Sequence, residues 1–235
     1  MLNKKIDRSK DNTSSDNERR NQNKKEVKDG IKDGTPIALG YLAVSFSLGI
    51  AARNAGLTTF QGFLAGLLTN ASAGGYAGFL LIAAGGSYLE MAIVTLIANA
   101  RYLLMSFAMS QKLDPDTPLY HRLLIGYDLT DELFGISIAR KGRLNPYYFY
   151  GAMIVALPAW SIGTGMGVAA GNILPLSIVS ALSVALYGMF LAIIIPPARE
   201  DRVVAVTVLI SFLASFMTSR MPLFSAISTG TKIII

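Results

Sequence analysis

The uneven distribution of charge along the chain is the feature that most restricts its fold. Residues 1–33 contain 17 charged side chains, whereas residues 34–235 contain only 19 in 202 positions. Roughly 25% of the residues in a soluble protein are charged, so the second stretch is far too apolar for an ordinary soluble domain. It indicates an integral membrane protein. We therefore predict a disordered cytoplasmic tail over residues 1–33, which offers little to bury, and a membrane domain over residues 34–235.

The composition also excludes several kinds of site. The chain has no cysteine and a single histidine, His121, so disulfides, thiolate metal sites and multi-histidine zinc or haem ligation cannot form. The sequence contains none of the common hydrolase, metalloprotease or P-loop motifs, and we expect no cofactor and no metal. A net charge of +6 would by itself suggest nucleic acid. The apolar body instead makes the lipid bilayer the expected partner, with no nucleic acid.

Seven apolar stretches approach the length of a membrane-crossing helix, which is about 20 residues. We therefore predict an all-α, polytopic membrane helix bundle with about seven transmembrane helices. The predicted spans are residues 36–52, 59–84, 88–110, 123–139, 146–170, 176–195 and 203–219. Lysine and arginine are enriched on the cytoplasmic side of membrane proteins. Their distribution around these spans predicts a cytoplasmic amino terminus.

Two parts of the membrane domain, residues 34–110 and 146–220, are weakly similar to each other. The similarity is either a 3+1+3 internal repeat or a chance match between apolar sequences. If it is a repeat, the two halves have the same orientation, and the substrate binds between them near the middle of the bilayer.

Three carboxylates stand inside the predicted span 123–139. Asp128, Asp131 and Glu132 are spaced i, i+3 and i+4, which places them on one face of a helix. Ionisable groups are costly in a bilayer and mark functional positions. We expect them to face the bundle interior, where they could carry a proton or bind a substrate ammonium group. The alternative is that this span lies partly at the membrane surface and the carboxylates are solvated.

Asn99 and Arg101 form a second polar group, in the middle of the predicted span 88–110. A guanidinium can hold a carboxylate through two parallel hydrogen bonds. The partner of Arg101 is either Asp131 or Glu132, as a structural lock, or the carboxylate of a substrate. On a regular helix Asn99 lies about 200° around the axis from Arg101. The two side chains therefore share one face only if the helix is irregular.

The predicted span 59–84 contains a glycine-rich polar stretch, Asn-Ala-Ser-Ala-Gly-Gly-Tyr-Ala-Gly, at residues 70–78. This stretch predicts either a break in the helix or close helix packing through Gly74 and Gly78. A break would turn backbone N–H and C=O groups towards a substrate. The binding residues would then include Asn70, Ser72, Gly74 and Gly75.

Other residues favour structural roles. Gly163, Gly167 and Gly171 are spaced by four residues, which is typical of a helix packing face. Glu90 lies near a helix start, where a carboxylate interacts favourably with the helix dipole. His121 falls in a loop between predicted spans, and we expect it to be solvated.

These motifs resemble those of the AzlC-type branched-chain amino acid permeases, the large subunit of the AzlC/AzlD exporter. The stretch Asn99-Ala-Arg101 resembles the asparagine–arginine motif of that family. Asp131-Glu132-Leu-Phe is similar to its Asp-Glu signature, and Gly34-Thr-Pro36 to its opening helix. The span 59–84 departs from the family, which usually has a Gly-Ala-Ser-Gln-type segment there.

The resemblance implies a secondary transporter that exports branched-chain amino acids or analogues across the bacterial inner membrane, and not an enzyme. It also implies a small, separately encoded AzlD-type hydrophobic membrane subunit. Since no ATP-binding motif is present, the proton gradient is the expected energy source. On this interpretation one group binds the amino acid substrate and another couples protons. The first group is Asn70, Ser72, Gly74, Gly75, Asn99 and Arg101, and the second is Asp128, Asp131 and Glu132.

Two other interpretations of the sequence remain open. One is a non-transporting scaffold subunit whose buried ion pairs only lock helices together. The other is a membrane-embedded enzyme that uses the carboxylates as acid and base.

Overall fold

The computed structural model describes residues 2–171, 173, 195, 198, 199 and 202–220, with side chains from residue 17 onward except at 215 and 218–220. This part of the chain is all-α, as predicted. Its helices are α1 (Leu2–Asn54), α2 (Thr59–Thr69), α3 (Ser72–Ala83), α4 (Tyr88–Ala98), α5 (Arg101–Lys112), α6 (Leu119–Tyr127), α7 (Asp131–Ile138), α8 (Pro146–Ala170) and α9 (Arg202–Arg220). Apart from Ile195, the predicted span 176–195 lies outside the described residues.

Among the described helices, two are long and apolar enough to cross a membrane. They are residues 17–54 of α1 and the whole of α8. The pair α4 and α5, bent by 48° at their junction, forms a third if it is counted as one span. The helix α3 and residues 202–214 of α9 are apolar but shorter. Neither the predicted count of seven transmembrane helices nor the internal repeat is confirmed.

Each predicted span with polar residues near its middle consists of two helices. The break follows an Asn or Asp that caps the first helix of each pair: Asn70 after α2, Asn99 after α4 and Asp128 after α6. Short polar side chains compete for backbone hydrogen bonds, and they are disfavoured inside helices for that reason. Asn70 has a φ of 31°, in the left-handed region that Asn tolerates better than most residues.

Residues 2–33 are helical in α1, where we expected a disordered tail. Two contacts explain the difference over the residues whose side chains are described. The backbone of Val27 lies against Gly151 of α8, and Arg140 donates a hydrogen bond to Glu26 at 2.7 Å. The prediction of disorder counted only apolar side chains in the tail. It could not include contacts with residues more than 100 positions away.

The chain divides into two compact units. The first comprises Met1–Leu39 and Tyr102–Pro158, and the second comprises Gly40–Arg101 and Ala159–Ile235. The first unit thus contains α6 and α7, and the second contains the whole of α2, α3 and α4.

In the second unit, α1 packs on α8 at glycines. A Cβ atom on Gly167 would overlap the carbonyl oxygen of Phe46, and one on Gly163 would lie 2.7 Å from the carbonyl oxygen of Leu42. A side chain at either position would therefore separate the two helices. The predicted packing face is confirmed, because only small residues allow backbones to approach this closely.

In the first unit, His121 lies on α6 and is 9% exposed. Its Nδ1 atom is 2.6 Å from the hydroxyl oxygen of Tyr150, and its ring also contacts those of Tyr120 and Tyr147. The expectation that His121 is solvated was wrong. The start of α8 places two tyrosines one turn apart, and together they cover the imidazole.

We expect this buried histidine to make stability depend on pH. Burial lowers the pKa of His121 below its usual value, so the folded protein binds fewer protons than the unfolded chain in mildly acidic solution. Stability is then complete above the unfolded pKa of about 6.5 and falls as the pH drops below it. The thermal unfolding midpoint in detergent should decrease from pH 7.5 to pH 5.5, and His121→Asn should decrease less. An identical decrease in both proteins would contradict this assignment.

Candidate functional site

The candidate site lies in the second unit, where two helices are interrupted. The chain leaves helical geometry after α2 and again after α4, and each time two residues separate that helix from the next. We call residues 70–75 and 99–101 the broken-helix crossing. Every substrate-binding residue predicted from the sequence belongs to it.

The break after α2 is set by local signals at both ends of that helix. Thr58 and Gln61 form a capping box that fixes the start of α2. Asn70 ends it in a left-handed conformation, with its N–H donating to the carbonyl of Gly66. Asn70 is 5% exposed. The predicted break in this glycine-rich stretch is therefore confirmed, and it lies at Asn70 and Ala71.

The helices α3 and α4 pack against each other as an antiparallel hairpin. Ala77, Leu81 and Val94 form its buried core, with Met91 packed against them. A capping box between Ser87 and Glu90 starts α4, which confirms the predicted role of Glu90 at a helix start. The hairpin brings the first turn of α3 beside the last turn of α4.

At that position the side chain of Asn99 lies against Gly74. A Cβ atom added to Gly74 would be 2.6 Å from Nδ2 and 2.7 Å from Oδ1 of Asn99. These distances are shorter than side chains allow, so only glycine at position 74 permits the amide to occupy this place. Gly74 therefore serves close packing, the alternative interpretation of this stretch, while the helix break lies just before it.

The broken-helix crossing presents both hydrogen-bond donors and a hydrogen-bond acceptor. Ala71 caps the start of α3 without a side-chain hydrogen bond, and the first N–H groups of a helix have no partner within it. They give this end of α3 a partial positive charge. Beside them, the Oδ1 atom of Asn99 is buried and accepts no hydrogen bond from the described residues. The arrangement can therefore bind a small molecule that carries an anionic group at one position and a hydrogen-bond donor at another.

Arg101 begins α5 at the bend and is exposed. The irregular helix that would let Asn99 and Arg101 act together is present, since α4 and α5 are bent by 48°. Arg101 belongs to the second unit, whereas the three candidate carboxylates belong to the first.

The three carboxylates do not share one helix, so the prediction that they line a single helix face was wrong. Asp128 ends α6 and is 1% exposed. Asp131 and Glu132 form the first turn of α7, after Thr130 caps that helix by accepting a hydrogen bond from the N–H of Leu133. Carboxylates in a first turn interact favourably with the helix dipole. Each of the three acids has an interaction partner in the structure.

The sequence analysis did not predict the helix ends at Asn99 and Asp128, although a signal was available. Like Asn70, the residues Asn99 and Asp128 are Asn or Asp side chains within otherwise apolar predicted spans. A break was predicted at residues 70–78, but Asn99 and Asp128 were interpreted as a ligand and a charge carrier inside helices. An Asn or Asp in such a position also indicates a helix end, and the structure places all three at helix C-caps.

Comparison with known proteins identifies the family. The family described as AzlC protein matches residues 36–174, more than half of the chain. The chain belongs to the AzlC family. An uncharacterised membrane protein of Archaeoglobus fulgidus is similar to it, with 31% identity over 170 residues, which is 72% of this chain and 74% of that protein. Inner membrane protein YgaZ of Escherichia coli K12 is 25% identical over 141 residues, 58% of each chain. No solved structure matches.

AzlC proteins are a membrane transport-associated family and not an enzyme family. The match over residues 36–174 includes the broken-helix crossing and all three carboxylates. The family and the apolar helices together establish this AzlC protein as a membrane protein.

Proposed function

We propose that this AzlC protein is a secondary transporter that exports branched-chain amino acids or analogues across the inner membrane. Family membership supports transport as the general role. One observation supports an amino acid as the substrate. The acceptor Oδ1 of Asn99, buried and without a hydrogen bond from the described residues, stands beside the uncapped start of α3.

In this proposal the substrate carboxylate binds the N–H groups of the first turn of α3, at Ser72, Ala73 and Gly74. Interrupted helices in transporters commonly present such positive ends to anionic substrate groups. A charge-assisted hydrogen bond of this kind contributes about 1.5–3 kcal/mol. Arg101, at the edge of the crossing, attracts the carboxylate as it enters.

The substrate ammonium group donates to Oδ1 of Asn99. A buried acceptor that lacks a hydrogen bond costs about 1–3 kcal/mol, so the free protein favours any donor that fills this position. The aliphatic side chain of the substrate then packs against apolar residues of the α3–α4 hairpin.

Asp128, Asp131 and Glu132 are the proposed proton carriers. Asp and Glu side chains within the membrane commonly form proton relays in transporters. We further propose that a small AzlD-type hydrophobic subunit completes the transporter, and that the amino terminus is cytoplasmic.

Counterflow in proteoliposomes tests this function. The protein, with its small partner subunit, is expected to exchange labelled leucine saturably and to accelerate when a pH gradient is imposed. Asn99→Leu removes the acceptor and should reduce the apparent affinity for leucine about ten- to hundredfold. Initial rates over a range of leucine concentrations measure this change.

Asn54→Leu is the matched control, because Asn54 is exposed at the end of α1 and lies outside the crossing. It should leave the apparent affinity unchanged. The proposal fails if no amino acid gives saturable flux, or if Asn99→Leu transports leucine with wild-type affinity.

A further inference from the structure

A groove of about 600 Å³ lies in the first unit, between the amino-terminal part of α1 and the start of α8. Its lining combines four cations with apolar and aromatic surface. The main lining residues are Arg19, Arg20, Lys24, Lys28, Val27 and Tyr147. The groove is separate from the broken-helix crossing, which belongs to the other unit.

Most of the cations that line the groove have no acidic partner among the residues whose side chains are described. Arg20, Lys24 and Lys28 are spaced by four residues and share one face of α1. All three are exposed. None of them forms a salt bridge with another described residue.

Three acids of the same segment are held elsewhere. Glu26 and Asp29 lie 2.7 and 3.9 Å from the guanidinium of Arg140. Asp33 accepts a hydrogen bond of 2.7 Å from the hydroxyl of Tyr148. Glu26, Asp29 and Asp33 thus lie on one face of α1. Arg20, Lys24 and Lys28 lie on the opposite face, towards the groove.

The position of the groove matches the surface of a membrane. Val27 contacts Gly151, so this segment of α1 runs beside the first turns of α8, a helix long enough to cross a bilayer. Tyr147 lies in the first turn of α8, and tyrosines are enriched where membrane helices meet the headgroups. Cations near an anionic membrane surface each strengthen binding roughly fivefold.

We propose that this groove binds the phosphate headgroup of an anionic phospholipid. Lys24 and Lys28, with Arg19 and Arg20, contact the phosphate. Val27 and the ring of Tyr147 contact the glycerol and the upper part of the acyl chains. The site does not depend on the transported substrate, so its test is independent of the proposed transport function.

Lipid retention by the purified full chain tests the site. The protein in neutral detergent is mixed with equal amounts of phosphatidylglycerol and phosphatidylcholine, and bound lipid is counted by native mass spectrometry. Lys24→Gln with Lys28→Gln should weaken phosphatidylglycerol binding about 30-fold. The matched control is Lys25→Gln with Lys32→Gln, which removes two exposed cations of α1 that do not line the groove. It should weaken binding by less than about threefold.

Three results would overturn the proposal: equal losses in the two double variants, equal retention of the two lipids by the wild type, or displacement of the lipid by millimolar inorganic phosphate or an acidic peptide. Helical circular dichroism establishes that each variant is folded. Should the Lys24 and Lys28 variant misfold, Arg19→Gln with Arg20→Gln removes the other two groove cations and is judged by the same criteria.

Discussion

Replacing Gly74 with alanine should raise the leucine concentration required for half-maximal transport by about ten- to hundredfold while leaving the protein folded. The added Cβ atom would lie 2.6 Å from Nδ2 of Asn99, so the amide must rotate away from the start of α3. Because the displaced group is the end of a side chain, the protein accommodates it with little loss of stability. The proposed acceptor for the substrate ammonium is removed, and the expected factor follows from a charge-assisted hydrogen bond of about 1.5–3 kcal/mol.

Counterflow over a range of leucine concentrations measures the concentration for half-maximal transport. Thermal unfolding of the same preparation measures the stability. Gly40→Ala is the matched control, since a Cβ atom on Gly40 meets nothing within 4 Å. Wild-type affinity in Gly74→Ala would show that the amide of Asn99 does not contact the substrate.

Replacing Gly167 with alanine should, unlike the change at Gly74, cause a large loss of stability. Here the added Cβ atom would overlap the main-chain carbonyl oxygen of Phe46. A carbonyl within a helix cannot rotate away, so α1 and α8 must separate along their contact. Overpacking of a well-packed interior typically costs 1–3 kcal/mol, and we expect about 3 kcal/mol at this backbone contact.

The midpoint of thermal unfolding in detergent provides the measurement. Gly40→Ala is again informative, because alanine at an uncrowded helix position is favoured over glycine by roughly 0.5–1 kcal/mol. The two Gly-to-Ala changes are thus expected to differ in sign. If Gly167→Ala were as stable as the wild type, the close contact between α1 and α8 would be refuted.

The features that were predictable from the sequence depend on short-range chemistry or on overall composition. The apolar body gave the all-α class, and the motifs around Asn99, Arg101 and Asp131 gave the family, which the comparisons confirmed. The spacing of Gly163 and Gly167 gave a packing face. Each of these inferences needs only the residue types and their separation along the chain.

The features that were missed depend on where the backbone stops being helical. Average hydropathy over a span changes little when one Asn or Asp is present, yet Asn99 and Asp128 each end a helix. The helical structure of residues 17–33 involves contacts with residues distant in sequence, such as that of Glu26 with Arg140. Neither a helix end nor a distant partner is visible in apolar content alone.

The shortness of α3 and α4, the helices that meet at the broken-helix crossing, has a consequence for how the protein enters the membrane. The helices α3 and α4 have 12 and 11 residues, which is about 17 Å of helix, against a hydrocarbon layer about 30 Å thick. A single helix of that length would leave its terminal N–H and C=O groups in lipid, where each unsatisfied group costs several kcal/mol. The breaks after α2 and α4 are therefore tolerated in the bilayer only where other parts of the protein or a water-filled cavity surround them. The two interrupted helices should accordingly assemble with their neighbours as they enter the bilayer, rather than insert alone.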